Sequence, residues 1–233
     1  MKLSAKTIQI LKNFSSINPS IMFKEGNILS TMSPLRTILA KATIAETIER
    51  DFGIFDLNRF LGILSLFNDP DLIFSDNFVK ITDGHKSVNF TYADPITIRT
   101  PPEKEIKMSM PYMVFDLTSD LLQNVMRAAS VLQLSEISLF SENGRMMMGA
   151  KDSKNPSNNS FEIDVKETDE NFKIIFSCNN MKMMSNSYKA CVSKGIGHFL
   201  SEDIEYFIVA ESTSTYGSNA PSPPVLSTIF YCG

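Results

Sequence analysis

The sequence consists mainly of short stretches in which apolar and polar residues alternate, with turn residues between them. Strict alternation gives an extended strand one apolar face, which is typical of antiparallel sheets with one buried side. The stretches occupy residues 20–31, 72–82, 86–93, 137–150, 160–167 and 203–212. The turns between paired runs are Glu25-Gly26, Ser75-Asp76-Asn77, Asp83-Gly84 and Asn143-Gly144. The pattern predicts a protein made largely of antiparallel strands.

Helical periodicity occurs at four places only. Ser4, Asp56 and Thr118 are predicted to cap the first three helices, and residues 179–184 form a short fourth candidate. The first two helices are predicted to bury Leu3, Thr7, Ile10, Leu11, Phe14, Leu57, Phe60, Leu61 and Leu64. The third is predicted to bury Leu121, Val125, Ala128 and Leu132.

The order of these elements repeats along the chain. Helix, hairpin, strand, helix and further strands fill residues 1–94, and a similar order fills residues 112–212. Residues 95–111 are rich in proline and charge and read as a linker, and residues 213–233 form a C-terminal extension. The prediction is an α+β protein with two similar domains, each an antiparallel sheet with two helices.

The residues of known catalytic sets are missing or isolated. His85 and His198 stand alone, the three cysteines lack metal-type spacing, and Gly195-Ile196-Gly197 lacks the third glycine of a dinucleotide site. We therefore predict no enzyme activity, no cofactor and no metal, with an unrecognised nucleic-acid-processing enzyme as the alternative. The sequence start has no signal-peptide pattern, and its apolar runs are too short to span a membrane.

The cations are distributed unevenly. The chain has 22 Lys and Arg against 26 Asp and Glu, so overall basicity cannot attract nucleic acid. The outward faces of the four predicted helices nevertheless carry cations and hardly any acids. These cations are Lys2, Lys6, Lys12, Arg59, Arg127 and Lys182. This segregation favours sequence-independent contact with the backbone of duplex DNA.

Several motifs resemble one family over nearly the whole chain. In order they are MKLS (1–4), LKNF (11–14), IN (17–18), IM-x-K-x-G (21–26), DLN-x-FLGILSL with ND (56–69), ADP (93–95), DL-x(4)-Leu/Val-x-Arg (the 120–127 region), NMKM (180–183) and YK (188–189). The chain resembles the sliding clamps of T-even-type bacteriophages, which serve as processivity factors of the phage DNA polymerase. Residues 32–51 and 219–233 match the family pattern poorly.

The resemblance implies a DNA clamp fold in which three subunits close head-to-tail into a ring, with the helices lining a hole for duplex DNA. It implies a homotrimer that binds DNA polymerase and a clamp loader, in the cytoplasm of the infected bacterial host and away from membranes. A DNA-bound coactivator of phage late transcription is the alternative. Partner peptides are expected to bind at Met32, Ile38, Ile106 and Met108, with the alternative that these residues only hold the linker against the sheet.

Two further expectations concern strands and the tail. Residues 86–93 and 160–167 alternate cleanly and are predicted to pair across the seam between neighbouring subunits. Residues 213–224 are predicted to form a flexible spacer, followed by the apolar stretch VLSTIFYCG at 225–233. This tail is predicted either to occupy the partner pocket or to be an extra strand or a disordered end.

Overall fold

A computed structural model describes residues 1–102, 111–155 and 157–217. The chain divides into two compact units, Met1–Glu103 and Lys104–Gly233. The finer domain limits expected from the sequence stay predictions. Over the described ranges, no helix combines the length and the hydropathy needed to cross a bilayer.

The first unit combines two helices with short antiparallel sheets. The helices are α1 (Ala5–Ile17) and α2 (Leu57–Leu64). The strands are β1 (Ile21–Phe23), β2 (Gly26–Met32), β3 (Ile38–Ile48), β4 (Phe52–Ile54), β5 (Asp71–Phe74), β6 (Phe78–Thr82) and β7 (Ser87–Thr91). β1 pairs with β4, β2 pairs with β3, and β5, β6 and β7 form a sheet in that order.

Both helices begin where the sequence predicts and bury the predicted stripes, except for Leu3, which precedes α1 and is half-buried. The Ser4 hydroxyl accepts a hydrogen bond from Thr7 N at 3.2 Å, and Asp56 Oδ1 accepts one from Arg59 N at 2.9 Å. In α2 the buried side chains include Phe60, whose ring lies edge-on to Phe90 with centroids 5.3 Å apart. Each fully buried Leu or Phe contributes about 2 kcal/mol, so packing rather than helix propensity holds this eight-residue helix.

The turn at Glu25-Gly26 does not join a hairpin, contrary to the sequence prediction. β1 pairs with β4 and β2 pairs with β3, so the chain changes partner at this turn. Gly26 has φ of +112°, a conformation that other residues rarely adopt, and Asp51 Oδ1 accepts a hydrogen bond from Glu25 N at 2.8 Å. The predicted turns at 75–77, 83–84 and 143–144 do join paired strands.

The second unit contains one α-helix in its described residues, α3 (Ser119–Val131). Its strands are β8 (Met113–Leu117), β9 (Glu136–Glu142), β10 (Arg145–Lys151), β11 (Phe161–Glu167), β12 (Lys173–Ser177), β13 (Tyr188–Ser193), β14 (Ile196–Leu200) and β15 (Ile204–Val209). One antiparallel sheet has the order β11-β10-β9-β12, and α3 packs on it. Antiparallel pairing also joins β8, β13, β14 and β15 in that order.

The buried face of α3 differs from the one that the sequence predicts. The helix buries Leu122, Val125 and Ala129. The predicted Leu121, Ala128 and Leu132 are only partly buried. The adjacent leucines at 121 and 122 make two neighbouring stripes possible, and the choice is made by the sheet beneath the helix. The predicted cap is confirmed, since the Thr118 hydroxyl accepts a hydrogen bond from Leu121 N at 3.2 Å.

The predicted fourth helix at 179–184 is wrong. The structure has a single 3-10 turn, Cys178–Asn180, with no side-chain cap, and the chain is irregular from residue 181 to the start of β13. Two buried tyrosines bind the main chain here instead. Tyr188 donates its hydroxyl hydrogen to Met184 O at 2.7 Å, and Met184 N donates to the Tyr206 hydroxyl at 3.3 Å. Hydrogen bonds to the sheet therefore replace helical ones.

This tyrosine pair gives a testable pH dependence. Burial raises the pKa of both Tyr188 and Tyr206 above the usual value near 10. Above pH 10 the unfolded chain loses these protons while the folded chain keeps them, so the free energy of unfolding falls by about 1 kcal/mol per pH unit for each tyrosine. We expect Tyr206→Phe to lose about 1–2 kcal/mol at neutral pH, because Met184 N loses its acceptor.

Urea unfolding between pH 8 and pH 11 measures both effects. Tyr206→Phe should show a shallower loss of stability above pH 10 than the unchanged protein. The thiol of Cys178, whose pKa burial and Glu136 raise to about 11, contributes equally to both proteins. Parallel curves for the two proteins would contradict the assignment.

Candidate nucleic-acid interface

A carboxylate on β3, that of Glu46, binds the first turn of α1. Glu46 Oε2 accepts a hydrogen bond from the Thr7 hydroxyl at 2.6 Å, and Glu46 Oε1 accepts one from Ser4 N. Burial raises the pKa of Glu46, but the hydrogen bonds from Thr7 and Ser4 outweigh it and lower the pKa overall. A negative charge at a helix N-terminus is also favoured by the helix dipole. Glu46 thereby orients the helix that carries Lys6 and Lys12.

The six predicted DNA-facing cations are not equivalent. All six are exposed. Lys2 forms an ion pair with Asp69, whose hydrogen bond raises the pKa of the lysine, so its charge is locally compensated. Arg59 lies 4.0 Å from Asp56, and 73% of its side chain is exposed. Within the described part of the chain, no ion pair is found for Lys12 or Arg127.

One of the predicted positions, Arg127, lines a cleft in the second unit. A cleft of about 260 Å³ is lined by Leu122, Gln123, Met126, Arg127, Met181, Met183 and Ser185. Met181 and Met183 of the cleft belong to the irregular segment after β12, and the exposed Lys182 lies between them in the sequence. The tyrosine hydrogen bonds to Met184 hold the segment in place.

Strand β7 is an edge strand, and no residue in the described part of the chain covers its free side. It pairs with β6, and Tyr92 N, just beyond its end, donates to Asn77 O on that side at 3.0 Å. The main-chain N–H and C=O groups of a strand point alternately to its two sides. Those of Val88 and Phe90 therefore bond to β6, and the N–H and C=O groups of Ser87, Asn89 and Thr91 point away from it. The side chains of Val88 and Phe90 are only half-buried. β7 therefore offers both hydrogen-bonding groups and apolar surface to a further strand.

Strand β11 is the corresponding edge of the second unit. The two-residue turn Asn143-Gly144 makes Glu142 and Arg145 a hydrogen-bonded pair, so by alternation Met148 and Ala150 bond to β11. Ile163 and Phe161, which pair with them, direct their main-chain N–H and C=O groups toward β10. The main-chain groups of Glu162 and Asp164 point away from β10, to the free side of β11. Both of the strands predicted for the seam are thus edge strands in their own sheets.

The carboxylates on β11 are neutralised from the neighbouring strand. Arg145 binds Asp164 through Nε and Nη2, each at 2.9 Å, and contacts Glu167 at 3.2 Å. Lys151 lies 2.6 Å from Glu162. These pairs keep the negative charges on β11 from opposing the approach of another strand.

Two family models match the sequence. One described as DNA polymerase processivity factor matches residues 2–87, and one described as gp45 sliding clamp, C terminal, matches residues 114–212. The curated sliding clamp of Vibrio phage KVP40 is 33% identical over 223 residues, covering 91% of this chain and 100% of that protein. The chain belongs to the sliding-clamp family. The sliding clamp of Enterobacteria phage T4 is 32% identical over 227 residues, with 93% and 99% covered.

Solved clamp structures share the fold at much lower identity. Proliferating cellular nuclear antigen from Entamoeba histolytica has a TM-score of 0.63 at 13% identity, with 88% of this chain and 94% of that one covered. The A. fulgidus protein, bound to the C-terminal region of FEN-1, has a TM-score of 0.64 at 14% identity, covering 89% and 96%. A Helicobacter pylori beta clamp bound to a DNA ligase peptide has a TM-score of 0.66 at 13% identity, covering 91% and 65%.

The predicted partner-binding residues lie in different surroundings. Met32 and Ile38 are buried, with 6% and 2% of their surface exposed, and Ile106 and Met108 lie outside the described residues. Large exposed apolar side chains are instead Leu35, at 84%, and Ile96, at 88%. Leu35 is at the tip of the β2–β3 hairpin, which Arg99 binds by donating to Pro34 O at 2.9 Å. A binding role for the four predicted residues stays a prediction.

The start of the predicted spacer is held against the second unit. Thr215 and Lys173 exchange two main-chain hydrogen bonds, of 2.7 and 2.9 Å, and the Tyr216 hydroxyl accepts one from Gly195 N at 2.9 Å. The prediction of a flexible spacer from residue 213 is therefore wrong for residues 213–217. Residues 218–233, which include the apolar end of the predicted tail, lie outside the described residues.

Replacing Glu46 tests how α1 is held. Glu46→Gln leaves one acceptor oxygen for the two donors at Ser4 and Thr7, so we expect a loss of about 1 kcal/mol at neutral pH. Because the pKa of Glu46 is lowered by folding, its contribution to stability is fully present above the unfolded-state value near 4.5 and is lost as the pH falls through the lower pKa of the folded state. Amide exchange of Thr7 and Ile8 should accelerate. The exposed Glu49→Gln is the control, and equal exchange in the two variants would contradict the role of Glu46.

Proposed function

We propose that this protein is a sliding clamp that encircles duplex DNA and tethers the DNA polymerase to its template. The observation that carries the proposal is the pair of uncovered edge strands, β7 in the first unit and β11 in the second. A strand edge of one subunit that docks on a different edge of the next forms a head-to-tail contact, which gives a ring when the rotation closes. Membership of the sliding-clamp family and the exposed cations of the helices support the same function.

The proposed mechanism is retention by topology. A closed ring cannot leave the DNA sideways, so its contacts with the duplex have to position it without stopping it. Phosphate contacts from a few cations are sequence-independent and screened by salt, whereas base contacts would favour particular sites. Lys12 and Arg127, exposed and outside the ion pairs described above, are the strongest candidates, with Lys6, Arg59 and Lys182 alongside them. Lys2 contributes less because Asp69 compensates its charge.

We propose a homotrimer, as the resemblance to phage clamps implies, which acts as a scaffold and not as a catalyst. A separate ATP-driven loader opens the ring, and polymerase binds through a peptide, in the way that related clamps bind peptides of FEN-1 and DNA ligase. Its place is the cytoplasm of the infected bacterium. Coactivation of late transcription is compatible with such a ring, but no contact described here favours it over replication.

Retention on DNA tests this function most directly. The clamp, loaded onto a singly nicked circle, should stay bound during gel filtration at salt that removes it from a short linear duplex. Cutting the circle should release it. Equal loss from circular and linear DNA would refute topological binding.

The seam gives a sharper test through proline. Asn89→Pro removes an N–H that points away from β6, so it blocks an incoming strand and leaves the sheet of the first unit intact. The main-chain groups of Val88 and Ile163 point into their own sheets, so proline there would damage the unit itself. We expect Asn89→Pro to sediment as a monomer with an unchanged melting temperature for the unit. Asn89→Ala, which keeps the N–H, should remain assembled, and an assembled Asn89→Pro would exclude β7 from the seam.

The DNA contacts are tested by their salt dependence. The binding constant K for DNA falls as salt rises, so a plot of log K against log salt has a negative slope. Lys12→Ala and Arg127→Ala should each make this slope less steep by about 1 for each phosphate contact removed. Lys194→Ala, in the exposed β13–β14 turn, removes the same charge from a site away from the helices and should leave the slope unchanged. Binding of a short duplex, measured by fluorescence anisotropy at several salt concentrations, reports the slope. A uniform effect of all three substitutions would indicate general charge attraction instead of a defined surface.

A further inference from the structure

Strand β12 has an edge that the chain itself covers. On one side β12 pairs with β9, and on the other it meets residues that follow β15. Thr215 N donates to Lys173 O at 2.7 Å, and Lys173 N donates to Thr215 O at 2.9 Å. Glu211 N donates to Ile175 O at 2.7 Å, and Ile175 N donates to the Ser214 hydroxyl at 3.0 Å. We call residues 211–217 the C-terminal strap.

Side chains of the second unit anchor the far end of the strap. The Tyr216 ring lies edge-on to Tyr112 with centroids 6.0 Å apart, and its hydroxyl accepts a hydrogen bond from Gly195 N. The Tyr112 hydroxyl accepts a hydrogen bond from Gly217 N at 3.1 Å and donates to Glu170. A Cβ on Gly217 would lie 2.6 Å from the Tyr112 hydroxyl, so a larger residue at this point would require the Tyr112 side chain to shift.

The first unit covers an equivalent edge in the same way. There β4 pairs with β1 on one side, and Ala93, just after β7, donates its N–H to Gly53 O at 2.9 Å on the other. In each unit, the chain leaving the last strand thus crosses the edge of a short strand. No such cover is found for β7 or β11 within residues 1–102, 111–155 and 157–217.

Without its strap, β12 would resemble β11 as a docking edge. Both strands carry apolar residues: Ile174, Ile175 and Phe176 are buried on β12, and Ile163 and Val165 are half-buried on β11. β12 spans five residues, the same length as β7. An uncovered β12 would therefore compete with β11 for β7 of another copy.

We propose that the C-terminal strap is an assembly guard, which closes the β12 edge against β7 of a second copy of this chain. This inference rests on the proposed function, since β7 is the docking strand of the proposed ring. A β7–β12 contact would join subunits at a rotation different from that of a β7–β11 contact. Heterologous contacts that fail to close produce open chains of subunits instead of a ring. The strap thus determines which of two similar edges another subunit finds.

A pair of shortened chains tests the guard. One ends at Ser212 and lacks most of the strap, and its control ends at Gly217, so both lack residues 218–233. In the shorter chain we expect the amides of Lys173 and Ile175 to lose hydrogen-exchange protection and sedimentation velocity to show species larger than the full-length assembly. The control should match the full-length protein. Loss of protection without larger species would overturn the proposal.

A second variant covers the case in which the shorter chain does not melt cooperatively. Thr215→Pro in the full chain removes the N–H donated to Lys173 O and should produce the same larger species. Adding Asn89→Pro to either variant should abolish them, and their persistence would exclude β7 as the docking strand. The comparison between chains ending at 212 and 217 is independent of whether the full-length protein forms a ring, which the DNA retention assay decides separately.

Discussion

Main-chain hydrogen bonding at strand edges is the constraint on which the rest of this structure depends. A strand at the end of a sheet carries N–H and C=O groups that either bond to protein or remain available to another chain. The protein satisfies the edges of β4 and β12 with its own residues, at Ala93 and in the C-terminal strap. The edges of β7 and β11 are left uncovered over the described residues. In the proposed ring, this distribution of covered and uncovered edges would determine how one copy meets the next.

The helices meet a second constraint, because each has one face in a core and another that carries cations. α2 buries Leu57, Phe60, Leu61 and Leu64 within only eight residues, which leaves Arg59 on its outer side. The helices hold few acids that could cancel these charges, whereas the strands carry many, such as Glu162 and Asp164. The net charge of −4 thus conceals a local excess of positive charge. A protein with weak, sequence-independent affinity for phosphate needs this local excess and no overall basicity.

The sequence predicted what depends on local periodicity and missed what depends on distant contacts. The buried stripes of α1 and α2 follow from the spacing of Ile10, Leu11 and Phe14 and of their counterparts in α2. The prediction of a fourth helix failed because Tyr188 and Tyr206, which come later in the sequence, bind the main chain of Met184. The pairing of Lys2 with Asp69 and the pinning of residues 213–217 likewise join residues far apart in the chain. No local pattern signals such contacts.

A clamp has to close securely and still open, and the composition of the proposed seam suits both demands. Docking of β7 on β11 would form a few ladder hydrogen bonds, each with a net contribution of about 1 kcal/mol, and cover the half-buried Val88, Phe90 and Ile163. The ion pairs of Arg145 and Lys151 with the β11 carboxylates lie within one unit, so opening the seam would break none of them. In the proposed ring, a subunit freed at one seam would stay tethered through the other subunits, and its high effective concentration would favour reclosure. A seam of modest strength can therefore give a ring that persists on DNA and yields to a loader.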